Sequence, residues 1–382
     1  MKPFNVSLAL ALAACVALPS LRAENGVTES EVSVGQTAVF TGPASALGLG
    51  MKAGLDAAIA EANAAGGVAG RKIKLVAKDD GYEPDKAIAN AKELIATDKV
   101  FLLIAGVGTP TANAVLPICD ENAVPFVGAF TGAGTLRSPF KKQVVNVRAS
   151  YNQEMEALAK LLVDERKLTK IACFYQNDGY GQAGLSGITA ALKQRNMELA
   201  ATGTYERNTT AVKTGLLDVR KGEPEAVVMV GAYKACAEFI RLARKLGMKD
   251  TLYCNISFVG TKALVQELGE DAEGTIISQV VPYPYGDSLP VLKDYAAALK
   301  KHQPGQEPDW VSLEGYIVGR FFTDLLAKTG KDLTRAGLLE TIQKQRNFDI
   351  GGFALAFGPE DHQGSDTVYL TQVKDGKVVE LK

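Results

Sequence analysis

The sequence predicts an α/β fold of two parallel-sheet lobes joined by crossover strands around a ligand cleft. Three observations predict it. Strand-like and helix-like segments alternate from residue 32 to 128, the alternation begins again near residue 149, and the stretch after residue 290 holds long helices followed by closing strands. Repeated strand–helix units imply a parallel sheet covered by helices on both faces. A second run of the same pattern implies a second sheet.

The first unit opens with a strand over 32–40 that stops at Thr41-Gly42-Pro43. An alanine-rich helix follows over 51–64, with Met51, Leu55, Ile59 and Ala62 at helical spacing, and ends at Gly66-Gly67. A strand at 73–76, a helix at 84–97, an apolar strand at 100–104, a helix at 113–121 and a strand at 124–128 complete this unit. The second unit reads as helix 153–165, strand 170–175, helix 181–194, extended chain 198–203, helix 210–219, strand 226–230, helix 235–246 and strand 252–255. The segment 282–290, rich in Pro, Tyr and Gly, breaks the rhythm and reads as a crossing back. Helices over 291–300, 313–328 and 333–343 follow, then strands over 353–357 and 368–373. We assign 24–147 plus 279–355 to the first lobe and 148–278 plus 356–382 to the second.

Charge excludes some partners. With 42 basic against 43 acidic residues and 2 histidines, nothing draws the chain to nucleic acid. At the start, Lys2, an apolar run over 6–19 and Ala23 form the pattern of a secretory signal over 1–23, too short in its apolar part to span a bilayer. The expected address is the periplasm. Leu12-Ala13-Ala14-Cys15 also has the form of a lipoprotein site, so the mature chain starts at Glu24 or carries lipid on Cys15.

Later cysteines are sparse. Cys173 lies in an apolar run and reads as a buried thiol; Cys236 and Cys254 leave pairing open. His302 and His362 stand in hydrophilic segments and read as solvated. No H-E-x-x-H or P-loop pattern occurs, and no glycine-rich dinucleotide loop follows the first strand, so no metal or cofactor is expected.

Ligands of open parallel sheets bind beyond the carboxyl ends of the strands. The loops there, 41–45, 106–111 and 128–132, carry small residues, hydroxyls and amides near helix starts, a surface suited to a small anion. Thr109 and Thr111 either cap a helix or face the ligand, and Phe130 reads as a cleft wall. In the second half, Tyr180, Tyr233, Ser257 and Phe258 follow strands, and tyrosine there supplies apolar area with one hydroxyl. Arg148 and Tyr151 stand at the junction, where Arg148 is either a surface arginine or a bidentate partner for a carboxylate. Asp79-Asp80 is the one conspicuous acidic pair of the first half, but neighbours on an extended backbone point to opposite sides.

These residues resemble a family. The segment 34–51, Gly66-Gly67-Val68-Ala69-Gly70 before Ile73-Lys74-Leu75, Asp79-Asp80, and the segment 174–184 are similar to the periplasmic binding proteins of branched-chain and related amino-acid ABC transporters, the leucine/isoleucine/valine-binding type. The resemblance implies a type I periplasmic-binding-protein fold. It further implies a monomer that captures an amino acid or related small carboxylate and presents it to an inner-membrane ABC permease. Its carboxylate surface falls on Gly108, Thr109, Phe130, Thr131 and Gly132, with aromatics at Tyr180 and Tyr233. The family member specific for leucine, isoleucine and valine grips the ligand ammonium with a glutamate after a second-lobe strand, where this chain reads Asn255-Ile256-Ser257-Phe258. Either another acid serves, Asp178 or Glu238, or the ligand has no ammonium and is a 2-oxo acid, an aromatic acid or an amide. A sensor feeding a receptor and an extracytoplasmic hydrolase are the other function classes open to such a chain.

Overall fold

The computed structural model describes residues 24–381; the expected signal over 1–23, with Cys15, lies outside them. The first sheet is built from β1 (Glu31–Ala38), α1 (Ser45–Ala64), β2 (Lys72–Asp79), α2 (Pro84–Ala96), β3 (Leu103–Ile104), α3 (Thr109–Glu121), β4 (Phe126–Val127) and β5 (Val144–Val145). Its order is β2-β1-β3-β4-β5, with every pair parallel.

The chain then enters the second lobe through α4 (Tyr151–Ala159), which runs on as a π-helical turn over Lys160–Glu165. There follow β6 (Ile171–Gln176), α5 (Gly179–Lys193), β7 (Ala201–Tyr205), α6 (Lys213–Arg220), β8 (Ala226–Val230), α7 (Tyr233–Lys245), β9 (Leu252–Asn255), α8 (Thr261–Leu268) and β10 (Ile276–Gln279). Burial of β8 on every residue, AVVMV, is what a strand covered on both faces requires.

After an irregular link over 280–289, α9 (Pro290–His302), α10 (Trp310–Thr329) and α11 (Arg335–Gln345) lead to a hairpin of β11 (Asn347–Ile350) and β12 (Phe353–Ala356). The helix α10 is buried along most of its length and lies on α1, where the Tyr316 hydroxyl donates to Glu61 at 2.7 Å. It therefore completes the first lobe. The last strands, β13 (Tyr369–Lys374) and β14 (Lys377–Glu380), return to the second lobe and add antiparallel to β10, giving the order β14-β13-β10-β9-β8-β6-β7.

Two lobes of parallel sheet joined by crossing segments are thus present, as the alternation predicts. The differences are local. Within the apolar 100–104 stretch the regular strand is only Leu103–Ile104, although Phe101 and Leu102 also bond to β1, and α3 starts at Thr109 rather than 113. Short β5, β10, β11 and β14 leave too few residues for a readable period.

Two crossings run side by side, with Asn146 N–H donating to the His362 carbonyl at 2.7 Å and Gly364 N–H to the Asn146 carbonyl at 2.8 Å. His362 is consequently not solvated. It is 4% exposed, its Nδ1 lies 3.0 Å from the Val144 carbonyl, and Phe140 packs edge-on at 4.7 Å. Cys119, Cys173, Cys236 and Cys254 are all free and buried.

Candidate functional site

The cleft is shaped by loops at the carboxyl ends of the strands. Asp79 and Asp80 pin two of them, and their side chains do point apart. Asp79 accepts from Phe40 N–H at 2.8 Å, the Thr41 hydroxyl at 2.5 Å and Gly81 N–H at 3.0 Å. Asp80, fully buried, accepts from the Thr37 hydroxyl and Tyr82 N–H, both at 2.9 Å, and burial pushes its carboxyl up to about 6. The pair therefore seats Tyr82 and ties the loop after β1 to the loop after β2.

Gly108 and Gly132 act by what they leave out. Gly108 has φ +101°, and a Cβ there would meet the Tyr82 ring at 2.2 Å; one on Gly132 would meet the Tyr151 ring at 2.5 Å. Both rings occupy space that any side chain would deny them.

Five buried rings meet where the lobes face each other. Phe130 and Tyr82 come from the first lobe, and Tyr151, Tyr180 and Phe258 from the second. Phe258 is the hub, with centroids 5.2 Å from Phe130, 6.1 Å from Tyr82 and 4.5 Å from Tyr180, while Tyr151 and Tyr180 are 5.5 Å apart. Beside them Thr109 and Thr131 share a hydroxyl–hydroxyl contact of 2.7 Å. Thr111 instead turns its hydroxyl back to the carbonyls of Val107 and Gly108, so it serves the start of α3 and not a ligand. Tyr233 stands at the edge, its hydroxyl accepting from Ala46 N–H across the lobes at 3.4 Å.

The segment Gly179-Tyr180-Gly181-Gln182-Ala183-Gly184 has the G-x-G-x-x-G spacing after a strand. A pyrophosphate would sit on the helix amides, but the Asp178 carboxylate already holds Tyr180 N–H at 3.0 Å. Gly181 and Gly184 serve strand–helix packing, since a Cβ there would meet the Gln176 carbonyl or Val230.

Arg148 is no surface residue. It is 1% exposed, between Glu154 on α4 at 3.1 Å and Glu314 on α10 at 3.5 Å, with its guanidinium 4.9 Å from the Phe130 ring centre and 5.8 Å from that of Tyr151. It also donates to the Ser257 hydroxyl. Glu154 in turn accepts from the Ser257 hydroxyl at 3.0 Å, Ser257 N–H at 2.8 Å and the Ser278 hydroxyl at 2.6 Å.

The acid at Ser257 is thus Glu154, and neither Asp178 nor Glu238. Asp178 caps α5 and pairs with Arg207 at 3.1 Å, and Glu238 pairs with Arg241 at 3.7 Å. Glu154 and Glu314 were both missed in the sequence. A signal for the first existed: Glu154 falls on the stripe Tyr151, Met155, Leu158 that α4 buries, where an unpaired charge is not tolerated. Burial pushes Glu314 up to about 7 against the pull of Arg148.

A family model described as periplasmic binding protein matches residues 31–377. The chain belongs to the periplasmic binding protein family. Among solved structures, this binding protein is similar to "a possible leucine/isoleucine/valine-binding protein" from Rhodopirellula baltica SH 1, at 36% identity and TM-score 0.89 over 93% of this chain and 97% of that one. A substrate-binding periplasmic protein from Ralstonia solanacearum matches at 24% identity and TM-score 0.86, over 92% of this chain and all of that one, and shares the fold. The Leu/Ile/Val-binding protein of Citrobacter freundii is 24% identical over 346 residues, 89% of this chain and 92% of its own. The fold is therefore the type I periplasmic binding protein fold, related to the Leu/Ile/Val-binding proteins.

In this binding protein the interlobe surface can do two things chemically. Its rings offer an apolar enclosure, and its polar atoms offer donors. Arg148 Nε and the Tyr151 hydroxyl are buried with no hydrogen-bond partner, and Arg148 Nη1 has only the Glu314 carboxylate at 3.5 Å.

Proposed function

We infer that this chain is an extracytoplasmic solute-binding protein that captures an amino acid or related small carboxylate and hands it to an inner-membrane ABC permease. The observation that carries the reading is the meeting of buried rings from both lobes around one buried arginine with unpartnered donors. Ligands of drug-like or smaller size are held by apolar walls with few placed polar groups. Closing the lobes brings Phe130 and Phe258 together over the ligand and excludes water, and the closed outline is the shape a permease recognises.

The site captures and does not turn over. Asp80, Glu154 and Asp178 each accept hydrogen bonds from protein donors, and Glu314 is paired with Arg148, so each of these carboxylates is engaged by the protein itself. The segment 1–23 supports a periplasmic address, with the mature chain free from Glu24 or tethered at Cys15. Intact mass of the mature protein from cell fractions separates these two.

Calorimetry against amino acids, 2-oxo acids, aromatic acids and amides tests the reading. One of them is expected to bind near micromolar, about 8 kcal/mol. No heat and no thermal shift across the whole panel overturns it.

A further inference from the structure

The polar atoms around the rings are unequally provided for. Glu154 accepts two hydrogen bonds on each oxygen, from Arg148 and the Ser257 hydroxyl on Oε1 and from Ser257 N–H and the Ser278 hydroxyl on Oε2. That fills the capacity of a carboxylate whose remaining surroundings are packed. Asp80 accepts from Thr37 and Tyr82, and Asp178 from Gln176, Tyr180 and Arg207. Glu314 stands against Arg148. Among the donors, Arg148 Nε and the Tyr151 hydroxyl lack hydrogen-bond partners, and Arg148 Nη1 meets only the Glu314 carboxylate at 3.5 Å.

We propose that Arg148 is the ligand's anchor, and that the cleft selects a carboxylic acid with an apolar or aromatic body and no ammonium group. This rests on the reading of the chain as a solute-binding protein and narrows it. A carboxylate reaching the free edge of Arg148 satisfies donors that are otherwise buried unpaired, through charge-assisted bonds. An ammonium at the same place faces a guanidinium of like charge, and has either to take Glu154 from the groups that hold it or to compete with Arg148 for Glu314. Its lost hydration then goes uncompensated. Ser257 fits this assignment: it bridges Arg148 and Glu154, and so stabilises the arginine where an amino-acid receptor needs an acid.

Matched pairs that differ by the amine decide the question. Hydrocinnamate against phenylalanine, and isocaproate against leucine, are titrated into the full-length mature protein. In at least one pair the acid is expected to bind more tightly than the amino acid by about tenfold or more. An amino acid that binds as well as its des-amino partner overturns the selection while leaving the solute-binding function standing; silence from every member of a full carboxylate panel overturns both. Arg148→Lys, checked for an unchanged circular dichroism spectrum, keeps the charge and loses the fork. It is expected to shrink the preference for hydrocinnamate over hydrocinnamamide by about tenfold. A merely structural arginine would weaken acid and amide alike, and that result, or an unchanged preference, overturns the role of Arg148. Should Arg148→Lys not fold, the same ratio is read on Tyr151→Phe, where a fall of a few-fold is expected and none overturns the donor cluster.

Discussion

Two arginines in this molecule stand in the same arrangement, each between one carboxylate of either lobe, and differ in how much water they see. Arg148 has Glu154 and Glu314, with side-chain exposures of 1%, 0% and 3%. Arg207 has Glu83 at 2.9 Å and Asp178 at 3.1 Å, with side-chain exposures of 22%, 42% and 14%. The inner cluster trades a large desolvation penalty for strong mutual attraction, and removing one member strands the others. The outer one is a rim fastening, supported by Asn208 donating to the Gly81 carbonyl at 3.0 Å and to Glu83 at 2.7 Å. Glu83 shows the contrast with Glu314: its partial burial is outweighed by Asn208 and Arg207, which hold it below the usual carboxylate range. Geometry sets which charges meet, and solvent sets what the meeting is worth.

The sharpest way to break this contrast is Glu154→Ala. It removes the acceptor of Arg148, Ser257 and Ser278 together, and should lower unfolding stability by about 3–5 kcal/mol in urea titration. A loss of about 1 kcal/mol or less would place the inner cluster in the same class as the outer.

Glu314 supplies the intermediate effect. Its carboxyl is raised from 4.5 to about 7 with burial as the first cause, so between those values the folded chain holds more protons than the unfolded one. That contribution is favourable below the window and is lost as pH rises through it, with a slope of at most about 1.4 kcal/mol per pH unit. Glu314→Gln should flatten this part of the stability curve; identical pH dependence in the variant would show the group to be ionised throughout.

Arg207→Gln should have the smallest effect, about 1 kcal/mol or less in stability. Its mark is kinetic: ligand leaves faster from the variant in stopped-flow at low salt, and the difference fades as ionic strength rises and the Debye length shortens to about 8 Å or less.

How much of this was legible before folding divides along the same line. The lobes were readable because the 100–104 stretch, β6 and β8 carry apolar runs set off by helices with apolar stripes, a local signal. Phe130, Tyr180 and Phe258 were legible as residues that follow strands and Tyr151 as one at the junction of the halves, whereas Tyr82 carried no such signal. The Arg148 cluster was only half legible, since its partners lie on α4 and α10 and meet through the tertiary fold. His362 misled for a related reason: its neighbours in sequence are polar, and its burial comes from Val144 and Phe140 on another crossing. Thr111 was a choice between two local roles, and the backbone carbonyls nearest to it decided the matter.

The lobe that is begun first waits for a helix from the last quarter of the chain. Its helix α1 rests on α10, and Tyr316 and Glu61, which join them, lie 255 residues apart in the chain. During synthesis the apolar face of α1 therefore waits for most of the protein to appear before it is covered. Contacts of such long range fold slowly and leave sticky surface open meanwhile. The second lobe, continuous from α4 to β10 and lacking only its terminal hairpin, is the natural place for folding to start. A chain that stops short of Trp310 would possess most of that lobe and no completed version of the other.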